Sequence, residues 1–590
     1  MSLTLLAALA LAGCGKNSGG NSPGDAAAKV ALPEPPLEFK GEPGIPGGRL
    51  VVASFGDPKT FNPITAAETS STDILLRLFS GLVSIDVPKQ EILPGLAESW
   101  SVAPDKKTWT FKLRKGLRWS DGEPLTTDDV VFTWNDIIYN TNIVNVTVDQ
   151  FRIDGKDFAV SKVDDLTVQI VTPDIYAPFL QFAGAAAVLP KHKLAKAVAE
   201  KRFESSYGIN SKPGDIVGCG PYRLKQYRPA QSTVLERNPY YFVVDKKGQR
   251  LPYIDSLIFS VVPDQNAISL RFLSGEADVQ EWVRPEEYDR FKTEAAKGRF
   301  KLLELGLASE RDYIAFNQNT GTNSKTGKPY VDAVKLKWFR NAKFRQAVSY
   351  AIDRQAIVRS TLGGHGEPNY GYSPQGSPWY NSNISKYPHN LEKARELLGE
   401  IGIKDRNGDG LLEDAEGHLI EFTLISNTGN SRREKGSVII QEDLKRLGIR
   451  VIYQPVEFNT LVDKLDNSFD FDCYFLGWGG GPPDPAYGMN ILKSDGFSHQ
   501  WFPKQKTPST EWEARIDQLV NAQLKTLDFA ERKKYYDEIQ AILAEQVPMI
   551  FISSMQAASA VRADIGNVRA STLDPNRVLW NVEELYFQKK

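Results

Sequence analysis

The sequence has few of the residues on which catalysis and metal binding usually depend. Its 590 residues include only five histidines and three cysteines, and no two histidines form an HExxH motif or another close pair. There is no GxSxG nucleophile elbow, and no GxGxxG follows a strand. The segment 321–329, GTNSKTGKP, departs from a phosphate-binding loop in its glycine spacing and in the proline after its lysine. These absences favour a binding protein over an enzyme, with no required cofactor.

Charge of one sign and long apolar runs are also lacking. The formal net charge is −2 and no Lys/Arg cluster is present, which excludes the usual electrostatics of a nucleic-acid binder. No apolar run reaches the roughly 18 residues that predict a membrane-spanning helix.

The amino terminus has the features of an export signal. Residues 2–14 form a short apolar run that ends in Leu-Ala-Gly-Cys, the lipobox pattern in which Cys14 receives the lipid. A chance cysteine in an Ala/Leu-rich leader is the alternative, and no Lys or Arg precedes the run. Residues 1–14 are therefore predicted to be a lipoprotein signal peptide, and the Gly/Pro/Ser-rich residues 15–44 a flexible tether.

Two cysteines remain after the signal peptide, Cys219 and Cys473. They could form one disulfide or be two buried small apolar residues. The second interpretation is favoured because a body of this size needs no disulfide framework.

The periodicity of the body predicts a mixed α/β protein. Short alternating strands dominate the first half, for example RLVVAS and LTVQIV. In the second half, residues 340–357 are predicted as one amphipathic helix, and 435–447 as a helix that ends at Gly448 and is followed by a strand. Helix, glycine and strand in that order indicate a βαβ unit. No internal repeat is present.

One loop matches a calcium-binding template. Residues 405–416, DRNGDGLLEDAE, fit the pattern D-x-[DN]-x-[DN]-G-x5-E. A helix precedes the loop but a strand follows it, so the sequence predicts a structural calcium site, and a turn that binds nothing is the alternative. The predicted oxygen ligands are Asp405, Asn407, Asp409, Leu411, Glu413 and Glu416.

The stretch LGWGGGPPDPAY, residues 476–487, combines glycines, prolines, a tryptophan and an aspartate. This composition does not suit a regular helix or strand and predicts a shaped loop that carries Trp478. Asp484 precedes a proline, which favours a turn, although its charge also makes it a candidate ligand contact.

Sequence blocks along the whole body resemble the family 5 extracellular solute-binding proteins, the receptors of ABC importers for oligopeptides, dipeptides, nickel and some oligosaccharides. The densest block is 93–134, with L-x-E-S-W, W-T-F-x-L-R-x-G and W-S-D-G-x-P-L-T-x-D-D-V. Others follow in order, among them GCGPYRL, LERNPYYF, FNQN and FRQAVSYAIDRQAIV. The resemblance covers essentially all of residues 49–588.

The resemblance implies an α/β periplasmic-binding-protein fold (type II) of the large three-lobed kind. Lobe I would comprise 45–85, 216–306 and 553–590, lobe II 86–215, and lobe III 307–552. The ligand would lie between lobes I and III and be enclosed by hinge closure. A monomer working with ABC permease subunits is implied, held by its lipid at the outer face of the cytoplasmic membrane or in the periplasm.

The resemblance also implies where the ligand binds. In peptide-binding relatives the loop that starts Gly-Trp lies along the ligand, which makes Gly477, Trp478 and Gly479 candidate contacts. Those relatives carry an amine-binding aspartate three residues after the tryptophan, where this chain has Gly481. Asp484 matches the following Asp-Pro step instead and is a weaker candidate.

Four further residues are candidate ligand contacts. Thr69 and Ser70 lie in the predicted loop after FNPI, and Tyr372 and Trp379 in YGYSPQGSPWY.

The sequence therefore predicts a receptor for peptides or similarly extended solutes. An oligosaccharide receptor of the same family is the alternative, because the amine-binding aspartate is missing and an indole face also stacks on sugars. Nickel is disfavoured by the lack of paired histidines. A secreted hydrolase is the alternative from another class, and the missing catalytic constellation argues against it.

Overall fold

The structure is a computed structural model that describes residues 30–588 apart from Ala67, Val146, Pro263, 324–325, 479–483 and Phe497, and apart from the side chains of Asp149 and Asn459. The predicted signal peptide with Cys14, residues 15–29 of the predicted tether, Gly479 and Gly481 lie outside the described residues.

The strands, in chain order, are β1 (Leu37–Phe39), β2 (Arg49–Phe55), β3 (Val83–Asp86), β4 (Glu91–Pro94), β5 (Ala97–Val102), β6 (Thr108–Leu113), β7 (Arg152–Ile153), β8 (Lys156–Asp157), β9 (Ala159–Lys162), β10 (Thr167–Val171), β11 (Tyr222–Arg228), β12 (Ser232–Arg237), β13 (Val243–Asp245), β14 (Ser256–Val262), β15 (Val279–Gln280), β16 (Phe300–Phe316), β17 (Gly366–Pro368), β18 (Glu421–Asn427), β19 (Arg450–Val456), β20 (Cys473–Trp478), β21 (Met549–Arg562), β22 (Ile565–Gly566) and β23 (Tyr586–Phe587).

The α-helices are α1 (Thr69–Leu78), α2 (Thr127–Phe132), α3 (Lys191–Ala199), α4 (Gln265–Ser274), α5 (Tyr288–Ala295), α6 (Ala333–Phe339), α7 (Ala342–Ala351), α8 (Arg354–Leu362), α9 (Leu391–Glu400), α10 (Ser431–Leu447), α11 (Phe458–Asp463), α12 (Met489–Leu492), α13 (Glu511–Leu524) and α14 (Phe529–Gln546). Within the described part of the chain, none of the helices has the length and apolarity needed to cross a membrane.

One mixed sheet of eleven strands runs through the molecule. Its order is β11-β12-β14-β2-β15-β21-β16-β20-β18-β19, with β17 paired to β21. The two longest strands, β16 and β21, pair antiparallel from Phe300 opposite Arg562 onward, and the register shifts three times between Glu304 and Tyr313. Such irregularities bend and twist a strand pair locally. In the strand order, the β16–β21 pair lies between the strands around β2 and the strands around β20. Its irregular stretch between Glu304 and Tyr313 is therefore a place where the two parts of the sheet could bend relative to each other.

A separate four-stranded antiparallel sheet, β5-β6-β10-β9, lies within predicted lobe II. Buried residues of β6 alternate with half-buried or exposed ones, and the buried Trp109 stacks on Phe179 with ring centroids 4.5 Å apart. The alternation seen in the sequence is therefore the alternation of one buried and one solvated face.

The predicted βαβ unit is confirmed. β18 and β19 pair in parallel, and α10 connects them. Asn430 caps the start of α10 by accepting a hydrogen bond from the amide of Arg433, and Gly448 ends it with a φ of 101°. That left-handed conformation is the one that favours glycine after a helix.

The single helix predicted over 340–357 is wrong. The segment forms two helices, α7 and α8, with an extended backbone at Ile352 (φ −79°, ψ 119°) between them. The Asp353 side chain accepts a hydrogen bond from the amide of Ala356 and so caps α8. An aspartate in this position competes with helix continuation, which hydrophobic periodicity alone does not reveal.

The residues from 30 to 44 belong to the folded body rather than to a flexible tether. β1 pairs in parallel with β13, and Glu34 forms a bridge with Lys115. Arg250 donates to the carbonyl oxygen of Val30 at 2.9 Å, and Arg114 to that of Pro35 at 3.0 Å. Residues 30–44, here called the amino-terminal strap, are thus paired and hydrogen-bonded to the body, which their Pro/Gly-rich composition did not predict.

Cys219 and Cys473 are both buried and both free thiols, so they form no disulfide with each other. Burial raises the pKa of the Cys219 thiol to about 12. The interpretation of two small buried residues is confirmed.

Candidate functional site

A cavity of about 280 Å³ lies beside the bent part of the β16–β21 pair. Its walls come from predicted lobe III, including Tyr372, Trp478 and Tyr536, and from Thr572 and Leu573 of predicted lobe I. Because residues on both sides of the β16–β21 pair line this cavity, its volume would change if the strand pair bent. This cavity is therefore the best candidate for a ligand site.

Trp478 is the last residue of β20 rather than part of an irregular loop, and it lines this cavity. The indole is half-buried, with its centroid 4.8 Å from that of Tyr313 and 5.3 Å, edge to face, from that of Tyr372. Aromatic neighbours on one side hold the ring in place while part of its surface faces the cavity. Trp478 thus lines the cavity, and its contact with a ligand stays a prediction.

Gly477 serves close packing within the protein. It lies opposite Asp312 of β16, and a Cβ atom at Gly477 would come within 2.4 Å of Asp312 Oδ1 and 2.9 Å of Arg433 Nη2. Arg432 Nε donates to Asp312 Oδ2 at 2.7 Å, so this acidic group is engaged by arginines. Because Gly477 has no side chain, the carboxylate of Asp312 and the guanidinium groups of Arg432 and Arg433 fit beside it.

Asp484 also lines the cavity, but its carboxylate is engaged within the protein. It accepts two hydrogen bonds from the Arg532 guanidinium and a third from the amide of Ala486, at the start of a short 3-10 turn. Both charged side chains are less than a tenth exposed. The arrangement matches the turn-forming role predicted for Asp484 and leaves it no free charge for a ligand amine.

Tyr372 and Trp379 have different surroundings. Tyr372 is buried and lines the cavity, and burial raises its pKa to about 12. Trp379 packs against Phe529, with ring centroids 4.6 Å apart, and under the Arg532 guanidinium at 5.0 Å. Trp379 does not line this cavity and instead supports the side chain that holds Asp484.

Thr69 and Ser70 do not lie in a loop. They form the first turn of α1, and the Ser70 hydroxyl donates to the carbonyl oxygen of Asp57 at 2.9 Å. Neither residue lines the 280 Å³ cavity.

The functional candidate that sequence reasoning missed is Arg311, in the bent part of β16. It lies between Ser554 of β21 and Trp478 of β20 in the sheet, and its guanidinium carbon is 4.9 Å from the Trp478 ring centroid. The stretch Glu310-Arg311-Asp312, three consecutive charges inside a long strand, was the signal that could have found it.

The predicted calcium ligands do not converge on one point. Both carboxylate oxygens of Asp405 accept backbone amides, from Gly408 and Gly410. Glu413 accepts from the amide of Arg406, and Glu416 is held by Lys337 at 2.8 Å. The loop is thus closed by its own hydrogen bonds.

Among the described residues, the cluster with metal-ligand spacing is Asp414, Glu416 and His418, which shares only Glu416 with the predicted set. The Asp414 carboxylate already contacts His418, and the Glu416 carboxylate contacts Lys337. The structure therefore gives the calcium prediction no support.

A second and larger cavity of about 1110 Å³ lies between predicted lobes I and II. It is lined by residues of the amino-terminal strap and by carboxyl-terminal residues such as Asp574 and Trp580. Tyr487 and Leu573 line both cavities. The two spaces are therefore neighbours that share a wall.

The model of the bacterial extracellular solute-binding proteins, family 5, matches residues 91–500. The chain belongs to this family. As a member it is a transport binding protein of the extracytoplasmic space and not an enzyme, and its fold is the periplasmic-binding fold that the family resemblance implied.

Relatives extend the similarity to nearly the full length. The chain is 30% identical to a probable ABC transporter-binding protein of Deinococcus radiodurans, over 89% of this chain and 92% of the relative. It is also 30% identical to the oligopeptide-binding protein AppA of Bacillus subtilis, over 92% of each chain.

Solved structures agree with the fold. AppA of Bacillus subtilis in complex with a nonapeptide superimposes with a TM-score of 0.73 at 29% identity, over 93% of this chain and all of that one. MelB of Agrobacterium fabrum in complex with stachyose gives a TM-score of 0.79 at 24% identity, over 95% of this chain and 89% of that one.

Proposed function

We propose that this family 5 solute-binding protein captures peptides outside the cytoplasmic membrane and delivers them to an ABC permease. The observation that carries the proposal is the aromatic-walled cavity at the bent β16–β21 pair, in a chain 30% identical to an oligopeptide-binding relative over 92% of its length.

Capture would work by closure about the β16–β21 pair. Lobe I, formed by 45–85, 216–306 and 553–590, would close against lobe III, 307–552, while lobe II, 86–215, extends the lobe I side. Closure removes water from around the ligand and strengthens the polar contacts inside. Closed and open forms then differ in shape, which gives a permease a basis for recognising the loaded receptor.

Within the cavity, the half-exposed face of Trp478 and the ring of Tyr372 would cover apolar parts of a ligand. The chain would act as a monomer, and a lipid on Cys14 would keep it at the membrane surface near its permease.

An oligosaccharide ligand is the second candidate. Its support is the aromatic wall itself, because an indole face stacks on a sugar ring as well as on a side chain. The Asp484–Arg532 pair adds to it, since it leaves that aspartate unable to bind a peptide amine.

Native mass spectrometry of freshly purified protein, followed by a thermal-shift screen, tests the proposal. We expect a co-purified mass that fragments as a peptide, and stabilisation by peptide mixtures. Stabilisation by cello- or manno-oligosaccharides alone, with no peptide effective, would reject a peptide receptor.

A further inference from the structure

Arg311, in strand β16, brings a positively charged side chain to the wall of the cavity. Its guanidinium carbon is 4.9 Å from the ring centroid of Trp478 and 5.1 Å from that of Tyr372, and all three residues line the same space. Two aromatic faces orient a guanidinium and shield it from water. The Arg311 head group is therefore held in a fixed position at the cavity wall.

The acidic residues nearest to Arg311 in the chain are engaged by other arginines. Glu310 pairs with Arg577 at 3.1 Å, and Asp312 with Arg432 at 2.7 Å. Neither carboxylate forms an ion pair with Arg311, although the nearby charge of Glu310 acts to raise the pKa of Arg311.

The remaining carboxylate of the cavity wall is also neutralised, since Asp484 forms its ion pair with Arg532. Among the described residues, no carboxylate lies within ion-pair distance of Arg311. Of the two charged residues that line the cavity, Asp484 is thus in an ion pair and Arg311 is not, as far as the described residues show.

The guanidinium also has an unused donor. Arg311 Nη1 donates to the carbonyl oxygen of Ser309 at 3.0 Å, but the buried Nε has no hydrogen-bond partner among the described residues. Burial lowers the pKa of Arg311, and the Tyr372 side chain faces the same guanidinium. A buried donor without a partner is costly, and a carboxylate matches the two-pronged edge of a guanidinium better than other groups do.

We propose that Arg311 binds a carboxylate of the transported ligand, in the first place the carboxyl terminus of a peptide. This rests on the proposed function and deepens it, because it fixes which end of the ligand meets the β16 wall. The amino end then needs no carboxylate at the Gly481 position for the ligand to be held in one direction. A free carboxylate of another solute, such as an acidic sugar, would offer the same chemistry.

The test uses synthetic peptide mixtures of three to nine residues, made either with a free carboxyl terminus or with a carboxamide, and titrated calorimetrically into the full chain. We expect the amidated mixture to bind at least about tenfold more weakly to the wild type, the loss of one charge-assisted double hydrogen bond. The variant Arg311→Met should bind the free-acid mixture as weakly as the amidated one, and Arg311→Lys should recover part of the difference.

Lys337→Met is the control variant, because Lys337 lies outside the cavity in an exposed pair with Glu416. It should keep the wild-type preference for the free acid. Melting curves of all variants show which of them are folded, and Arg311→Lys keeps the comparison valid if Arg311→Met unfolds.

Equal binding of free-acid and amidated peptides would overturn the role of Arg311 while leaving a peptide receptor in place. If no peptide mixture binds, the peptide function fails, and uronic-acid-terminated oligosaccharides are compared with their neutral counterparts. A preference for the acidic sugars that Arg311→Met abolishes would still support the carboxylate site. If neutral sugars bind as tightly as the acidic ones, or if no probe binds, the proposed carboxylate site at Arg311 is overturned.

Discussion

The guanidinium of Arg532 forms a double hydrogen bond with the carboxylate of Asp484, with N–O distances of 2.9 and 2.8 Å. The same guanidinium lies over Trp379 and donates to Gln523 Oε1 at 2.7 Å. One buried arginine thereby connects the short turn at Pro485–Gly488 with α13 and the Trp379 segment.

Breaking this pair on one side should destabilise the fold. We expect Asp484→Asn to lower the free energy of unfolding by about 3–5 kcal/mol, because Arg532 keeps a buried charge without its partner. The matched double variant Asp484→Asn with Arg532→Met should lose less than the sum of the single variants. Denaturant titration measures both. A stable Asp484→Asn protein with weakened ligand binding would show instead that Asp484 contacts the ligand.

Trp478 should matter more for ligand affinity than for folding. Trp478→Ala removes a cavity wall, so we expect affinity for peptide mixtures to fall at least about tenfold, with a moderate drop in melting temperature because the ring is only half-buried. Trp512→Ala is the control, since Trp512 is also half-buried and lies beside Trp501, outside the cavity. Equal affinity losses in the two variants would contradict a specific role for Trp478.

Glu513 should make stability depend on acid pH. Burial alone would raise the pKa of this carboxyl, but hydrogen bonds from Trp501, Ser509 and Thr510, together with His499 Nε2 at 3.7 Å, outweigh burial and hold its pKa well below the usual range. Its stabilising contribution is therefore complete above the ordinary glutamate pKa of about 4.3, and declines as the pH falls through the lowered folded-state value.

Accordingly, Glu513→Gln should cost about 2 kcal/mol of unfolding free energy at neutral pH, and the difference from wild type should shrink below pH of about 4. Glu538→Gln, in an exposed pair with Arg515, should change stability little at either pH. A difference that is constant with pH would contradict the lowered pKa of Glu513. Urea titrations at several pH values measure it.

Gly306 lies at the first register shift of β16 with a φ of 84°. An alanine there finds no steric obstacle but must adopt a left-handed backbone, at a cost of about 1 kcal/mol. We expect Gly306→Ala also to change ligand affinity, because it restricts the strand about which we propose that the lobes close. Gly298→Ala, with a φ of 77° in a turn outside this strand, should show the stability loss alone. Calorimetry and small-angle scattering with and without peptide separate the two effects.

Local signals in the sequence predicted much of the fold. The β18–α10–β19 unit follows from periodicity and Gly448, and both act over a few residues. The prediction of a single helix over 340–357 was wrong because Asp353 caps a second helix within a continuous apolar pattern.

The site was less predictable, because the partners of its residues are distant in the sequence. The sequence around Asp484 does not indicate that Arg532 is its ion-pair partner. Likewise, the sequence around Arg311 does not indicate that the neighbouring Glu310 and Asp312 pair with other arginines, Arg577 and Arg432. Trp478, which the family resemblance implies as a ligand contact, lines the cavity, but the resemblance does not indicate which charges are already paired within the protein.

Tyr487 and Leu573 separate the 280 Å³ cavity from a neighbouring space that is about four times larger. A ligand that extended from one space into the other would have to pass these two side chains, and the Tyr487 ring lies against Phe182 with centroids 4.3 Å apart. We therefore expect smaller side chains at these two positions to change which ligand lengths the proposed site accepts.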